Sequence, residues 1–554
     1  MRRHVCLPIV LALAALCILA GAAHAAPWKF GVIADTQWIG ADDGRNPWTC
    51  AVDIINQVNR RFIEERVKLV VAVGDLADKS TDSAIGKAAL DTRVTYTQAL
   101  YNAGIGFFPL RGNHDGTAAA AVEFLRIFPQ TQNGLNNNTP PDAFITTPDD
   151  AETRPVGRTG ATFYRGSGVT SPSASLKGLS YAFRYGNATF VLLDQFTPPD
   201  GSANSIDAQQ GWITRVLKGR PQDTHAFVFG HKGLITENHV DVLFGKDPAS
   251  DPAGQDAFIT ALAGSGGRYY LAGHDHMHDR TRVTTTDGAA AHVTQIICAS
   301  DSSKFYIPAI PSNDDRYNVP AFGRRRQTPL GQELNTVGYY IFTVDGPRVT
   351  VDYYSAPVNP KPASGECAIS TTPTLSFNKR ETFGYSLNGK EFLIAQGQPY
   401  TVVEDSFSRT TARILSGANG STGRDGSGRP FVKAVDTGWV RKTTATRSDI
   451  LSLWGMGGSL GEDRTDVFTL SMTYDPRSLR TGKAKGNGPV VGAGDGGTWV
   501  NAVDKNRGGP KQFIPGPWKA EYGLGTYGVD PDTQTAWAVI DHGGDFAVVE
   551  KETP

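Results

Sequence analysis

The chain has 554 residues, of which 40% are hydrophobic and 20% are charged, so it is long enough for two or three domains with sizeable cores. This composition excludes an intrinsically disordered chain and a collagen-like chain. The formal net charge of −1 gives no electrostatic sign of binding to nucleic acid or to an anionic membrane surface. The 62 glycines and 33 prolines favour turn-rich β structure over a helical bundle.

Residues 1–25 have the layout of a secretory signal peptide. Arg2 and Arg3 precede an apolar run from Leu7 to Ala22, and small residues suited to cleavage follow at Ala23-His24-Ala25. The alternative is an uncleaved membrane anchor, because the apolar run approaches the length that spans a bilayer. We favour cleavage, and we therefore expect an exported protein, periplasmic or secreted, that does not engage a membrane once the leader is removed.

Removal of this leader leaves three cysteines, which are Cys50, Cys298 and Cys367. Three cysteines cannot form a disulfide framework, although one bridge is possible in an oxidising compartment. The mature protein must therefore obtain its stability from hydrophobic cores.

Between Trp28 and about Ala356, short apolar segments alternate with amphipathic ones, which is typical of an α/β layered domain. Helices are predicted over Cys50–Glu65 and about Lys87–Asn102. Strands are predicted at Phe30–Ala34, Leu69–Val73, Gly106–Leu110, Thr189–Leu193, His225–Phe229, Tyr269–Ala272, Val293–Ala299, Gly338–Val344 and Arg348–Tyr354. Two polar segments, 133–177 and 237–255, are expected to be either functional lids or disordered excursions.

The amino-acid composition of the sequence changes after residue 356. Residues 357–373 are rich in Pro, Ser and Thr and predict a linker that separates a domain over 26–356 from a second domain over 374–554. In the second domain, Val467–Tyr474 alternates between apolar and polar residues, which predicts a half-buried β-strand. Short apolar segments and Gly-rich turns continue to the end, so we expect an all-β fold, and a sandwich in particular.

Clusters of polar residues follow several predicted strands of the first domain. In chain order they are Asp35-Thr36-Gln37, Gly74-Asp75-Leu76-Ala77-Asp78, Gly112-Asn113-His114-Asp115, Gly230-His231 and Gly273-His274-Asp275-His276. Each cluster alone has an ordinary explanation as a turn or a helix cap. Because ligands bind at the carboxyl ends of strands in open α/β sheets, the joint pattern predicts that the clusters meet at one edge.

The residue types in these clusters suit a pair of divalent metal ions. Carboxylate, amide oxygen and imidazole together select ions such as Zn, Mn and Fe over an all-oxygen calcium site. A carboxylate that bridges two ions about 3.5 Å apart is common in sites that cleave phosphate esters. The pattern therefore indicates a metal-dependent hydrolase.

The series of motifs resembles that of the calcineurin-like metallophosphoesterases, which is D-x-H, G-D-x-x-[DY], G-N-H-[DE], a histidine at a strand end, and G-H-x-H. The resemblance covers about residues 28–356. It implies two β-sheets packed face to face and flanked by helices, with two divalent metal ions. It also implies which residues hold the first metal (Asp35, Gln37, Asp75 and His276) and the second (Asp75, Asn113, His231 and His274), with Asp75 bridging.

The same resemblance gives His114 a place outside the metal shell, where it would meet the phosphate and help the leaving oxygen to depart. Asp115 or another carboxylate would hold the His114 ring. Gln37 stands where the commonest form of the motif has histidine; direct binding, binding through water and no binding by its amide all stay open. Asp78 stands where purple acid phosphatases have tyrosine, so that branch is disfavoured and Asp78 is expected to orient other groups.

We therefore expect an exported hydrolase that cleaves phosphate esters of small molecules with metal-activated water. One alternative is a phosphodiesterase or nuclease that uses the same site, although the near-neutral charge disfavours nucleic acid. The alternative from another class is a non-catalytic binding protein with a vestigial metal fold. The intact set of candidate ligands disfavours that second alternative.

Overall fold

The computed structural model describes part of the chain, and the predicted leader lies outside the described residues. The described range is 26–550 except for residues 40–48, 80–84, 137–162, 222–223, 247–248, 287–290, 308–326, 347, 364–365, 388–390, 395–399, 405–408, 417–422, 425–429, 432–435, 441–445, 449, 455–463, 475, 477–478, 480–488 and 496–497. Within that range, no helix has both the length and the apolar character needed to cross a membrane.

Strands and helices alternate in the N-terminal part. In chain order they are β1 (Trp28–Ile33), α1 (Val52–Glu64), β2 (Leu69–Val73), α2 (Gly86–Thr95), α3 (Gln98–Asn102), β3 (Gly106–Leu110), α4 (Ala118–Ile127), α5 (Gln130–Asn133), β4 (Leu135–Asn136), β5 (Phe163–Tyr164), β6 (Ser167–Thr170), β7 (Tyr181–Tyr185), β8 (Ala188–Leu193), α6 (Ile206–Lys218), β9 (His225–Gly230), β10 (Asp241–Val242), β11 (Gly245–Lys246), α7 (Pro252–Gly264), β12 (Tyr269–Ala272), β13 (His278–Thr284), β14 (His292–Ile297), β15 (Lys304–Phe305), β16 (Gln327–Glu333), β17 (Thr336–Asp345) and β18 (Arg348–Pro357).

The prediction of one helix over about Lys87–Asn102 is wrong, because the structure has two short helices there, α2 and α3. The hydroxyl of Thr97 donates hydrogen bonds to the carbonyl oxygens of Val94 (2.6 Å) and Arg93 (3.3 Å). A side chain that bonds the backbone in this way competes with the next helical turn. The amphipathic pattern that continues through this position does not reveal the break.

The C-terminal part consists of strands and one described 3-10 helix, Ala502–Lys505. Its strands are β19 (Lys361–Ala363), β20 (Glu366–Ala368), β21 (Asn378–Ser386), β22 (Glu391–Ile394), β23 (Tyr400–Glu404), β24 (Arg409–Ser416), β25 (Gly423–Arg424), β26 (Pro430–Phe431), β27 (Asp436–Val440), β28 (Ile450–Trp454), β29 (Arg464–Thr473), β30 (Pro489–Asp495), β31 (Thr498–Asn501), β32 (Gln512–Phe513), β33 (Thr526–Asp530), β34 (Thr535–His542) and β35 (Gly544–Glu550).

Two mixed sheets pack face to face in the N-terminal part. One has the order β16-β13-β14-β12-β9-β8-β7-β6, and the other begins β3-β2-β1-β17-β18-β21. Aromatic side chains fill the space between them; the rings of Phe30 and Phe342, for example, stack with centroids 4.5 Å apart. Helices α1 to α4 cover the outer face of one sheet, and α6 and α7 cover the other. The predicted two-sheet sandwich flanked by helices is confirmed.

The second sheet continues from the N-terminal sandwich into the C-terminal part. After β21 its order is β22-β23-β24-β29-β34-β33-β32, which makes 13 strands in all. A five-stranded sheet, β27-β28-β35-β30-β31, packs on this end through a core that includes Leu453, Phe468, Leu470 and Val548. The expectation of an all-β sandwich is thereby confirmed.

The predicted domain limits stay predictions, but the structure adds strands on both sides of residue 374. Strands β19 and β20 lie within the predicted linker, and β20 pairs with β15. Strand β21 pairs with β18, and its Phe383 and Tyr385 lie in the core of the N-terminal sandwich. The first sandwich is therefore completed by residues that follow the predicted linker.

The cysteines left open by the sequence are unbridged. Among the described residues, Cys50, Cys298 and Cys367 are buried, and all are free thiols. The hydrophobic cores, rather than a disulfide among these residues, hold the described part of the fold together.

A buried ion pair joins the two sheets at β13 and β21. The carboxylate of Glu381 lies 3.1 Å from Arg280 Nε and 3.2 Å from His278 Nε2. Burial by itself would raise the pKa of Glu381, but the charge of Arg280 and the hydrogen bond from His278 lower it to about 2. The charged carboxylate therefore stabilises the folded state at neutral pH.

We predict that Glu381→Gln lowers the free energy of unfolding by about 3 kcal/mol at neutral pH, because the folded pKa lies below the unfolded value of 4.5. A carboxylate whose pKa is lower in the folded state than in the unfolded state stabilises the fold at pH values above its unfolded pKa. This stabilisation is lost as the pH falls toward its folded pKa. The gap between the wild type and the variant should therefore shrink from about pH 5 downward in urea unfolding. Glu521→Gln, at an exposed position, is the control. A gap that stays constant to about pH 3 would contradict the assignment.

Candidate metal centre

The polar clusters meet where parallel strands of both sheets end. Strands β1, β2 and β3 run parallel in one sheet, and β8, β9, β12 and β14 do so in the other. The residues that follow them form two groups whose candidate ligand atoms lie within 4.8 Å of one another: Asp35, Asp75 and His276, and Asp75, His231 and His274. All of these residues are buried, and Asp75 belongs to both groups.

The second group includes the amide of Asn113. His231 Nε2 lies 3.2 Å from Asp75 Oδ2 and 2.9 Å from Asn113 Oδ1. The other oxygen of Asp75 accepts a hydrogen bond from the backbone N–H of His114, at 2.9 Å. Carboxylate, amide oxygen and imidazole thus converge at one point, with the donor set that the sequence predicted.

Gln37 belongs to the first group. Its Nε2 lies 3.1 Å from His276 Nε2 and 3.3 Å from Asp75 Oδ2, and its Oε1 is buried without a hydrogen-bond partner among the described residues. An amide turned by 180° would place the oxygen between Asp75 and His276 instead. That orientation would both use the unpaired oxygen and suit a cation, so the amide of Gln37 fits direct binding.

Backbone carbonyls fix two of the histidine rings from outside. His231 Nδ1 donates to the carbonyl of Val73 at 3.0 Å, and His276 Nδ1 donates to that of Lys304 at 2.8 Å. In the neutral ring that binds a metal, each bond would leave Nε2 as the unprotonated nitrogen that faces the group. Such outer hydrogen bonds orient metal-binding imidazoles in proteins.

Four candidate ligands have a left-handed backbone, which non-glycine residues rarely adopt. The φ angles are 52° at Asp35, 48° at Asp75, 76° at His274 and 51° at His276. Such conformations cost on the order of 1 kcal/mol or more each, and they persist where the surrounding structure holds them. The strain is concentrated at the residues that form the two groups.

The glycines beside these residues allow the strand ends to approach one another. A Cβ at Gly112 would lie 2.0 Å from Asp75 Oδ1, and one at Gly74 would lie 2.4 Å from His231 Nδ1. A Cβ at Gly273 would lie 2.7 Å from Asp35 Oδ2. Gly74 also has a φ of 85°, so it turns the chain as expected, whereas Gly112 and Gly273 are required for contact distance.

The electrostatics of the two groups favour a bound cation. Burial raises the pKa of Asp35 to about 8; the positive charge of His231 opposes this shift, and the negative charge of Asp75 adds to it. Burial lowers the pKa of His231, but the charge of Asp75 outweighs it and raises the pKa to about 9. Two buried carboxylates this close need positive charge between them. The donor set therefore fits a pair of divalent cations.

His114 lies beside the two groups, and a quarter of its side chain is exposed. Its Nδ1 lies 2.7 Å from the carbonyl oxygen of Asp78 and 3.4 Å from the Asp78 carboxylate. Its Nε2 faces inward, 4.0 Å from Asp75 Oδ2. Asp78 is thus the carboxylate beside Nδ1 of this ring, while Asp115 uses its Oδ2 to accept the N–H groups of Leu76 (2.8 Å) and Gly112 (3.3 Å).

Arg111, which directly precedes Gly112, could from its sequence either approach a phosphate or anchor the loop. In the structure its guanidinium is fully buried and binds both carboxylate oxygens of Asp194, at 2.7 and 3.0 Å. It also donates to the carbonyls of Asp115, Thr117 and Thr197. These contacts favour the anchoring interpretation.

The sequence assigned no role to three further residues near His274, which are His239, Asp241 and Asp275. His239 stacks on His274, and Asp241 forms a hydrogen bond with it. Two of the three lie within the polar segment 237–255, which carries no motif. The signal that pointed to this segment is its length, because long loops inside compact domains are often functional.

We predict that Gly112→Ala removes bound metal, because the added methyl group would meet both the carboxylate and the backbone nitrogen of Asp75, which both groups share. Metal content by atomic emission and the melting temperature would be measured together. Gly211→Ala is the matched control, since its Cβ would meet only Arg215 Nη1 at 3.5 Å. Normal metal content in Gly112→Ala would show that Asp75 does not hold the ions.

Comparison with known proteins gives the following matches. The family model for the calcineurin-like phosphoesterases matches residues 29–278, a range that contains all the candidate ligands. A dimetal phosphatase from Danio rerio is 17% identical, with 58% of this chain and 95% of that chain covered and a TM-score of 0.31. PhoD is 13% identical, with 66% of this chain and 71% of that chain covered and a TM-score of 0.37. A purple acid phosphatase from yellow lupin seeds is 12% identical, with 64% of this chain and 57% of that chain covered and a TM-score of 0.33.

No curated protein sequence matches the chain significantly. The family match ends before the expected limit at about residue 356, and most of β13 together with β14, β16 to β18 and β21 completes the sandwich beyond it. Residues 29–278 of the chain are thus similar to the family of calcineurin-like phosphoesterases.

Proposed function

We propose that this protein is an exported di-metal hydrolase that cleaves phosphate esters of small molecules, with His114 assisting the leaving group. The observation that carries the proposal is the sharing of Asp75 between two buried groups of candidate ligands, with the inward nitrogen of His114 4.0 Å from the same carboxylate. A shared carboxylate between two ions is common in sites that cleave phosphate esters.

A bound pair of divalent ions supplies a hydroxide near neutral pH and offsets charge on the phosphoryl oxygens. Asp35, Gln37, Asp75 and His276 would hold one ion, and Asp75, Asn113, His231 and His274 would hold the other. The first set is richer in oxygen, because the Gln37 amide stands where an imidazole is commoner. Oxygen ligands favour harder ions, so manganese or ferrous iron suits this set, whereas zinc suits the second.

His114 is oriented to move a proton at its Nε2 atom. The Nδ1–H is directed to the carbonyl of Asp78 at 2.7 Å, so the inward Nε2 is the nitrogen available to substrate. Protonated Nε2 can donate to the oxygen of the departing alcohol, which is general acid catalysis. Asp78 acts here as a positioning residue, whereas Asp115 supports the loop through its hydrogen bonds to Leu76 and Gly112.

Export is proposed from the leader at residues 1–25, which would place the mature protein in the periplasm or outside the cell. A small-molecule phosphate ester is the proposed substrate class because the near-neutral net charge gives no support for nucleic acid binding. Nuclease or phosphodiesterase activity is the alternative outcome of the test below.

The proposed function predicts that the metal-free protein is inactive. The mature protein would be treated with a chelator, reloaded with manganese, zinc or ferrous iron, and assayed on a panel of phosphomonoesters and phosphodiesters. We expect activity to be lost with the metal and restored by at least one ion. Hydrolysis of diesters alone would favour the phosphodiesterase alternative. Absence of bound metal, with no rescue by any of the three ions, would favour the non-catalytic binding protein.

The proposed role of His114 predicts that His114→Ala lowers kcat by about 10²- to 10⁴-fold on an alkyl phosphate, whose leaving group needs a proton. On a nitrophenyl phosphate, which leaves without protonation, the loss should be much smaller. Metal content should not change, because His114 lies outside both ligand groups. Equal losses on the two substrates, or full activity on the alkyl phosphate, would exclude a general acid role.

A further inference from the structure

The segment Glu237–Asp241, here called the clamp, contacts the candidate metal ligand His274 at two points. Asp241 Oδ1 lies 3.0 Å from His274 Nε2. The ring of His239 stacks on that of His274, with centroids 3.9 Å apart and an interplanar angle of 26°. One contact fixes the edge of the imidazole ring and the other fixes its face.

We infer that Asp241 is a positioning residue that orients His274 toward the second metal, an inference that rests on the di-metal centre proposed above. A metal-binding imidazole is neutral and carries one proton, on the nitrogen that does not bind the metal. The hydrogen bond to Asp241 places that proton on Nε2. Nδ1, which has no hydrogen-bond partner among the described residues, is then the nitrogen presented to the metal.

Asp275 attaches the clamp to the same turn that carries His274. Its carboxylate accepts the backbone N–H groups of Glu237 (2.5 Å), Asn238 (3.2 Å) and His239 (3.1 Å). It also lies 2.7 Å from Nδ1 of His239, which sets the orientation of that ring. The clamp is therefore held by the residue next to His274, so that segment and ligand form one local unit.

A lysine sets the direction of the Asp241 carboxylate. Lys232 Nζ lies 2.5 Å from Asp241 Oδ2, while Oδ1 is directed to His274. Lys232 directly follows the candidate ligand His231 and occupies the neighbouring strand end. Asp241 thus contacts both His274 and the residue that follows His231, and these are the two histidines of the second group.

The exposure of Asp241 separates this role from a role in folding. Its side chain is 37% exposed and lies in the two-residue strand β10. Ion pairs at such exposure contribute about 0–1 kcal/mol to stability, so substitution should leave the fold intact. Outer carboxylates on metal-binding histidines, by contrast, change metal affinity by about 10- to 100-fold.

The test is a calorimetric titration of the metal-free mature protein with zinc or manganese. We expect the wild type to bind two equivalents and Asp241→Ala to lose about 10- to 100-fold in affinity at one site, with the other unchanged. Asp241→Asn keeps an acceptor oxygen for His274 and should recover part of that loss. Cobalt-loaded samples should show a changed visible spectrum in Asp241→Ala, and melting temperatures should agree with the wild type.

Lys232→Gln is the matched control, because it removes the ion pair but keeps the hydrogen bond between Asp241 and His274. Equal affinity in Asp241→Ala and the wild type, or an equal loss in Lys232→Gln and Asp241→Ala, would overturn the inference. If Asp241→Ala fails to fold, Asp241→Asn decides, and it must weaken one site measurably. A wild type that binds no metal would instead contradict the proposed function.

Discussion

The burial of the Asp75 carboxylate is the constraint on which the rest of the site depends. It lies beside Asp35, and each of these two residues is at most 1% exposed, so two carboxyl groups share a space that is largely shielded from water. An isolated charge in such a place costs several kcal/mol. The histidines, the amides and the proposed ions all supply compensating positive charge or donors to this point. The site is therefore organised by charge balance rather than by the hydrophobic packing around it.

The sandwich is what allows this arrangement to persist. The left-handed conformations at Asp35 and Asp75 belong to one sheet, and those at His274 and His276 belong to the other. Neither sheet alone could hold both halves of the centre, because the candidate ligands meet across the gap between strand ends. The aromatic core between the sheets fixes their separation, and the glycines at 74, 112 and 273 make that separation short enough for contact. The packing of the core therefore determines the distances between the candidate ligands.

Sequence patterns predicted the features that depend on neighbouring residues. Apolar runs located strands such as Leu69–Val73 and Tyr269–Ala272, and the polar clusters after them identified the candidate ligands. Patterns could not predict pairings between distant residues, such as Arg280 with Glu381, because nothing near either residue records its partner. Asp241 was missed for the same reason, since a single acidic residue in a polar segment looks like any solvated side chain. The end of α2 was missed because hydrophobic periodicity does not report the hydrogen bond from the Thr97 hydroxyl to the backbone.

The segment predicted as a linker extends this argument to the first ligand group. His276 is oriented by the carbonyl of Lys304, and Lys304 forms an ion pair with Glu366 in β20, at 3.1 Å. Strand β20 also pairs directly with β15, which contains Lys304. The orientation of His276 thus depends on residues more than 80 positions beyond the family match, which ends at residue 278. The C-terminal part is consequently not separable from the metal centre by a cut after residue 356, because such a cut would remove both β20 and the strand that carries Glu381.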